Sequence, residues 1–290
     1  MPSPNIMVAA PDRLTEILAP YCRLFGRADQ ARWFTTYIRG LLGPAERKSI
    51  EPLARSLSDA AEPRMTSAVQ ALQHFIQKSP WDEQVLLSHY RARLLQRLEP
   101  MTKSRAAFVL HTVTFLKSGR HSVGVQRQAI SSTLRKANCQ RAIALSYVDR
   151  SGHWPLALRL FLPPSWLRDA DRVRATGVPE AFRTPSRKAH IALDLLDSVR
   201  REGWPDLRVV ADTAIASVDE FGEGLANRGL NLSEEPVGAR LLASAISDFE
   251  TMRRELGLDH YEGRSWRGWH HHVSLVILAQ AVRQFVEMAS

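Results

Sequence analysis

The feature that most constrains the fold lies in the middle of the chain. Arg105–Phe115, Gln140–Asp149 and His153–Phe161 follow one another as runs rich in Val, Ile, Leu, Ala and aromatic residues. The last two are separated only by Arg150-Ser151-Gly152, a connection of hairpin length, and Pro163-Pro164 closes the series. A segment of helical pattern, Lys188–Glu202, comes next, and then Leu207–Asp212, which reads as a buried parallel strand ending in a carboxylate. Helical segments at Asp219–Ala226, Val237–Leu256 and Trp269–Met288 complete the order. Strands, helix, strand and helices in that sequence predict a mixed α/β layer. Open α/β sheets place their chemistry at the C-terminal ends of their strands, which makes Asp212 a candidate site residue.

The residues before this region carry no strand signal. Arg64–Gln77 sets Met65, Val69, Leu72, Phe75 and Ile76 on one stripe, and Gln30–Leu42 and Asp82–Leu98 behave alike. The expected organisation is a helical region over residues 1–103 followed by an α/β core over residues 104–290. With 44% hydrophobic and 24% charged residues, the composition is that of a globular chain rather than a disordered one. Cys22 and Cys139 stand far apart, which excludes a disulfide framework and any cysteine-based metal motif. The first residues show neither the basic start nor the apolar core of a secretory signal, and Val273–Val282 is too short to span a bilayer. A cytoplasmic protein that does not enter membranes is expected.

Charge is distributed unevenly. The chain carries +9 overall, yet residues 101–205 hold 18 Lys and Arg against 7 Asp and Glu. Between Pro100 and Val148 there is no acidic residue, while Lys103, Arg105, Lys117, Arg120, Arg127, Arg135, Lys136 and Arg141 all fall there. Such an excess suits a polyanion such as DNA, although a basic face can also be merely solvated. The Gly-containing loop with Lys117, Arg120, His121 and Arg127 is the best candidate for contact with backbone phosphates. Arg264 and Arg267, interleaved with Trp266 and Trp269, offer either cation–π packing or DNA contact. His270–His272 cannot chelate one ion from a regular helix, since successive side chains point about 100° apart, and packing is the expected role.

Several phrases then add up: "YIRGLLGPAERKSIEPLA" (Tyr37–Ala54), "LQHFIQKSPWD" (Leu72–Asp82), "FLKSGRHSVGVQRQ" (Phe115–Gln128), "NCQ" (Asn138–Gln140), "VVADTA" (Val209–Ala214) and "ELGLDHYEGRSWRGWHHH" (Glu255–His272). The set resembles bacterial insertion-sequence DDE transposases of the branch with the Y-R-E-K signature, over nearly the whole chain. The resemblance implies an RNase H-like mixed sheet with flanking helices, preceded by an all-helical region. It also implies three carboxylates holding two Mg²⁺ ions that activate water or a 3′-hydroxyl for attack on a DNA phosphate.

Aligned by these phrases, the sequence departs from the family at the site itself. The first Asp falls on His111, the second on Asp212, and the catalytic Glu on Ile246, with the Arg and Lys of the signature at Leu242 and Arg253. After "GLANRGL" (Gly224–Leu230) a strand and an insertion subdomain are missing, and Asn231–Pro236 leads directly into the last helices. His111 then reads as a packed strand histidine, or as a general base or metal ligand beside Asp212; Asp212 reads as an active carboxylate or as a cap for the next helix. Glu250, one turn beyond Ile246, is the available substitute acid.

The leading expectation is therefore a transposase-derived protein that has lost two-metal cleavage and binds DNA through Lys117, Arg120, His121, Arg127, Arg135, Lys136, Arg264 and Arg267, in a regulatory or architectural role. No cofactor is expected, and Mg²⁺ returns only if the acids are misaligned. The alternatives are an enzyme recruited to a small molecule in the former cleft, with His111 and Asp212 as acid–base pair, and a transposase with relocated metal ligands. The sequence is also compatible with a homodimer.

Overall fold

A computed structural model describes residues 11–55, 62–98, 106–130, 135–150, 152–233 and 236–288. The expected boundary at residues 103 and 104, together with Lys103, Arg105 and the Ser151 turn position, lies outside these residues. By contacts the chain forms two compact units: residues 1–90, 249–263 and 267–290 make a helical unit, and residues 91–248 and 264–266 make a sheet unit. The last helix thus groups with the first helices rather than with the sheet.

In the helical unit, α1 (Pro11–Cys22), α2 (Ala28–Leu42), α3 (Ile50–Arg55) and α4 (Glu62–Gln77) are followed by α5 (Glu83–Arg97), which continues into the sheet unit. Asp82 starts α5 by accepting from the Gln84 amide at 2.7 Å, the capping that its place after Ser79-Pro80-Trp81 predicts. α12 (Trp266–Glu287) is apolar and buried on almost every side. Two of its buried histidines reach backbone carbonyls. His271 has Ile76 O at 2.9 Å from Nδ1 and Trp81 O at 3.0 Å from Nε2, and its ring stacks on Trp81. His272 donates from Nε2 to Gly257 O at 3.0 Å, so its Nδ1 accepts from the Tyr37 hydroxyl at 2.9 Å. His271 and His272 are buried ties between α12 and neighbouring segments. Among the described residues no helix is long and apolar enough to cross a membrane.

The sheet unit holds β1 (Ala107–Leu116), β2 (Gln126–Ala129), β3 (Lys136–Asp149), β4 (Gly152–Phe161) and β5 (Arg208–Ala211). β3 pairs antiparallel with β1 on one side and with β2 and β4 on the other, while β5 pairs parallel with β1. This is the RNase H-like mixed sheet implied by the sequence. β1 is buried along most of its length because helices cover both faces. On one face Ala107, Val109, Val148 and Val210 pack with Leu241, Leu242 and Ala245 of α11 (Pro236–Leu256). On the other, α8 (Lys188–Arg201) buries Ile191, Ala192, Leu195, Leu196 and Val199, and Trp204 reaches Phe108 and Tyr147. The short helices α6 (Pro164–Leu167) and α7 (Ala170–Ala175) precede α8, and α9 (Thr213–Ala216) and α10 (Asp219–Ala226) follow β5.

Leu232 makes one parallel bridge to Val209, with Val209 N donating to Asn231 O and Ser233 N to Val209 O. Among the described residues the segment after α10 thus adds one bridge, and no strand, to the outer edge of β5.

Candidate functional site

The pairing of Leu110 with Ala211 sets His111 beside Asp212, the adjacency the alignment requires. Asp212 is committed to the backbone. Its Oδ2 accepts from the Thr112 amide at 2.6 Å, and its Oδ1 accepts from the Ile215 amide at 3.0 Å, capping α9. The Asp212 amide in turn donates to Leu110 O at 3.0 Å. The carboxylate therefore pins β1, β5 and α9 together.

His111 is 3% exposed. Its side chain points to the α11 face, as strand alternation from Ala107 and Val109 demands. A second imidazole, His153, lies near enough to interact with it electrostatically. His153 sits on β4 opposite Val148, and its Nε2 is 2.8 Å from Ser146 Oγ. Its Nδ1 is 3.3 Å from Asp248 Oδ2 on α11. The serine contact is a hydrogen bond, and the carboxylate lies beside the ring as a nearby charge. Burial above all, and then His111, push His153 down to about 3, so the ring is neutral. The order Ser–His–Asp is that of a hydrolytic triad, but Ser146 is 0% exposed and no substrate reaches its hydroxyl. The row is a buried strap between sheet and helix. Its signal in the sequence is faint, since Ser146 and His153 meet only through the hairpin register and the irregularity between Leu145 and Ser146.

Ile246 behaves differently from the α11 residues that pack on the sheet. It is 43% exposed, a large apolar side chain left in solvent. Glu250 is also exposed and pairs with Arg253 at 3.1 Å. Among the described residues no group of three or more His, Cys, Asp or Glu side chains is placed to hold a metal ion.

The basic candidates mostly face water. Arg120, His121, Arg127, Arg135, Lys136, Arg264 and Arg267 are exposed, and Lys117 is half-buried. Their loop is held rigidly from beneath. Gln140 Nε2 donates to Val123 O at 2.6 Å, Arg172 donates to Arg120 O at 2.7 Å, and Val123 N donates to Arg264 O at 3.0 Å. That last bond brings Arg264 to the Arg120 loop. Gly124 takes a φ of +67°, and Leu162 and Phe161 O would crowd any side chain there. β2 carries Arg127 opposite Asn138, and Ala129 opposite Lys136. Arg267 belongs to the helical unit, where its Nη1 donates to Lys78 O at 3.1 Å. Trp266 and Trp269 are buried, Trp266 against Phe182 at 4.8 Å between ring centroids, so the aromatic half of that motif is core.

A cavity of about 270 Å³ in the sheet unit is lined by Arg159, Leu160, Phe182, Ile191, Asp194 and Trp266 among others; neither His111 nor Asp212 lines it. Sequence reasoning passed over one further neighbour of Asp212, Lys188 at the start of α8.

Comparison with solved structures places the chain near complexes of the mariner transposase Mos1. It is 12% identical to the Mos1 paired end complex with Mg, over 84% of this chain and 80% of that one, at a TM-score of 0.29. To a pre-cleavage Mos1 transpososome it is 10% identical, over 85% and 80%, at a TM-score of 0.30. Likeness at that level bears on neither site nor substrate. A comparison with curated proteins finds no match to the chain. A family model described as DDE superfamily endonuclease matches residues 20–245, ending just before Ile246. That span is well over half of the chain and takes in His111, Asp212 and the strands that carry them, and the protein belongs to the DDE superfamily endonucleases.

Proposed function

We propose that the chain is a DNA-binding derivative of a DDE transposase that no longer performs two-metal cleavage. The observation that carries this reading is the burial of His111, 3% exposed at the position of the family's first acid. A metal-bridged phosphate has to reach that side chain, and here it is closed off. Three further observations support the reading. Both oxygens of Asp212 already accept backbone N–H bonds, Ile246 offers no donor atom, and imidazole is a poor ligand for Mg²⁺, which favours hard oxygens. The donor set does not fit a pair of Mg²⁺ ions.

DNA binding is supported by the acid-free tract and by the exposure of Arg120, Arg127, Arg135 and Lys136 on a braced loop and hairpin. Contacts of this kind go to backbone phosphates, so they fix position on the duplex rather than read bases. A regulator that competes for element ends, or an architectural protein, needs no more than this.

The test has two parts. A labelled duplex should bind at ~50 mM salt and be released steeply as salt rises, because each phosphate contact liberates counterions. Supercoiled plasmid with Mg²⁺ or Mn²⁺ should be nicked no faster by the wild type than by Asp212→Ala. Metal-dependent nicking that Asp212→Ala abolishes would sink the proposal, and so would absence of binding at low salt.

A further inference from the structure

On the face of the sheet covered by α8, next to Asp212, two cations stand against one carboxylate. The register fixes one of them. Thr114 pairs with Arg141 and Arg141 with Phe161, so these three form a row across β1, β3 and β4. Lys188 lays its ammonium over the Phe161 ring, 5.9 Å from the centroid. Lys188, Arg141, Phe161 and Asp212 are all half-buried, so the row stays partly open to solvent rather than being core.

The recess is under-supplied with negative charge. Burial lowers the affinity of Lys188 for its proton, the Arg141 charge lowers it further, and Asp212 opposes both. Asp212 makes no hydrogen bond to it, and its carboxylate oxygens accept instead from the Thr112 and Ile215 amides. Among the described residues Lys188 Nζ makes no ion pair and no hydrogen bond, so its three N–H donors are left to solvent or a ligand. Arg141 spends Nη2 on Ala129 O at 2.7 Å, which holds the guanidinium in place. Two partly desolvated cations with one already satisfied acid gain most from a ligand that brings multiple anionic oxygens.

We propose that Lys188 and Arg141 form a phosphate-binding recess, which takes either a phosphodiester of the DNA backbone or a free phosphate group. In the first case it rests on the DNA-binding reading above and names the protein cations that meet a phosphate beside Asp212. In the second case it stands alone.

The experiment uses the full chain, a labelled duplex and inorganic pyrophosphate. Duplex affinity is measured by fluorescence anisotropy across a salt series, and pyrophosphate binding by the shift in melting temperature and by calorimetry. Lys188→Gln should weaken duplex binding about tenfold and lower the salt slope by about one. The same change should remove the pyrophosphate response, and Lys188→Arg should restore most of both. If Lys188→Gln melts much lower than wild type without ligand, Lys188→Met, which keeps the aliphatic stem over Phe161, takes its place.

A folded variant with unchanged duplex affinity and unchanged pyrophosphate response overturns the recess. If Arg120→Gln with Arg127→Gln abolishes duplex binding in that same series, DNA binding survives the failure. If the wild type ignores DNA but binds pyrophosphate through Lys188, the recess stands with free phosphate as its ligand, and the DNA reading falls.

Discussion

Asp212 shows how a carboxylate at the C-terminal end of a sheet strand is held by backbone amides. It accepts one amide from β1 and one from the first turn of α9, so its removal strands the Thr112 amide and leaves the Ile215 amide only the carbonyl of residue 212. Asp212→Ala should cost roughly 2 to 3 kcal/mol in urea denaturation, the sum expected for a lost helix cap and a lost charge-assisted bond. Asp212→Asn keeps an acceptor oxygen and should cost clearly less. Equal losses for the two would show that the bonds are not what the carboxylate supplies. Gly257 is a second residue whose identity is dictated locally. Its φ is +65°, and a Cβ there would lie 2.5 Å from Lys48 Cβ and 2.7 Å from His260 Nδ1. Gly257→Ala should therefore lose more than about 2 kcal/mol by the same denaturation measurement.

Among the elements, α11 decides how the face of the sheet that carries His111 is covered. Ala245 is fully buried among Ala107, Val109, Val148 and Val210, so Ala245→Leu should overpack this seam by roughly 1 to 3 kcal/mol. Ile246→Glu, which returns an acid to the family position, should change stability by less than about 0.5 kcal/mol because the side chain is in solvent. It should also fail to restore plasmid nicking while His111 stays; nicking by this single variant would show that the site was one residue from activity. β1 and β5 could be read from their apolar runs, since a strand buried on both faces leaves that mark. β2, Gln-Arg-Gln-Ala, could not. It has no apolar face and is held by ladder bonds to β3, which leave no trace in composition. The same holds at the site. The adjacency of His111 and Asp212 follows from strand order, whereas the Ser146–His153–Asp248 strap depends on a hairpin register that no local pattern encodes.

At the scale of the whole molecule, buried neutral histidines tie stability to pH in both units. Burial pushes His271 in the helical unit down to about 4, against the pull of the Ile76 and Trp81 carbonyls, and pushes His153 in the sheet unit down to about 3. An unfolded chain protonates these rings near the usual 6.5, so it gains protons that the folded chain refuses. Their contribution is therefore complete above about pH 6.5 and drains as pH falls, on the order of 2 to 3 kcal/mol from each by pH 4. Thermal melts from pH 7 to pH 4 should show this decline. His271→Gln and His153→Gln should each flatten it, and a melting temperature independent of pH over that range would contradict the assignment of neutral rings.

The bridge at Leu232 has a consequence for how copies of the chain meet one another. Loss of a sheet strand ordinarily exposes a row of unpaired amides and carbonyls, a template on which a foreign strand can grow. Here Val209, in the middle of the four-residue β5, already spends its outward N–H on Asn231 O and its outward carbonyl on Ser233 N. The short segment therefore works as a stopper on the rim, leaving an incoming strand too few neighbouring bonds to gain a hold. Ser233→Pro removes the donor that closes it, and light scattering on mild warming should then rise well before the wild type's does. A one-residue bridge thus serves as protection against aggregation.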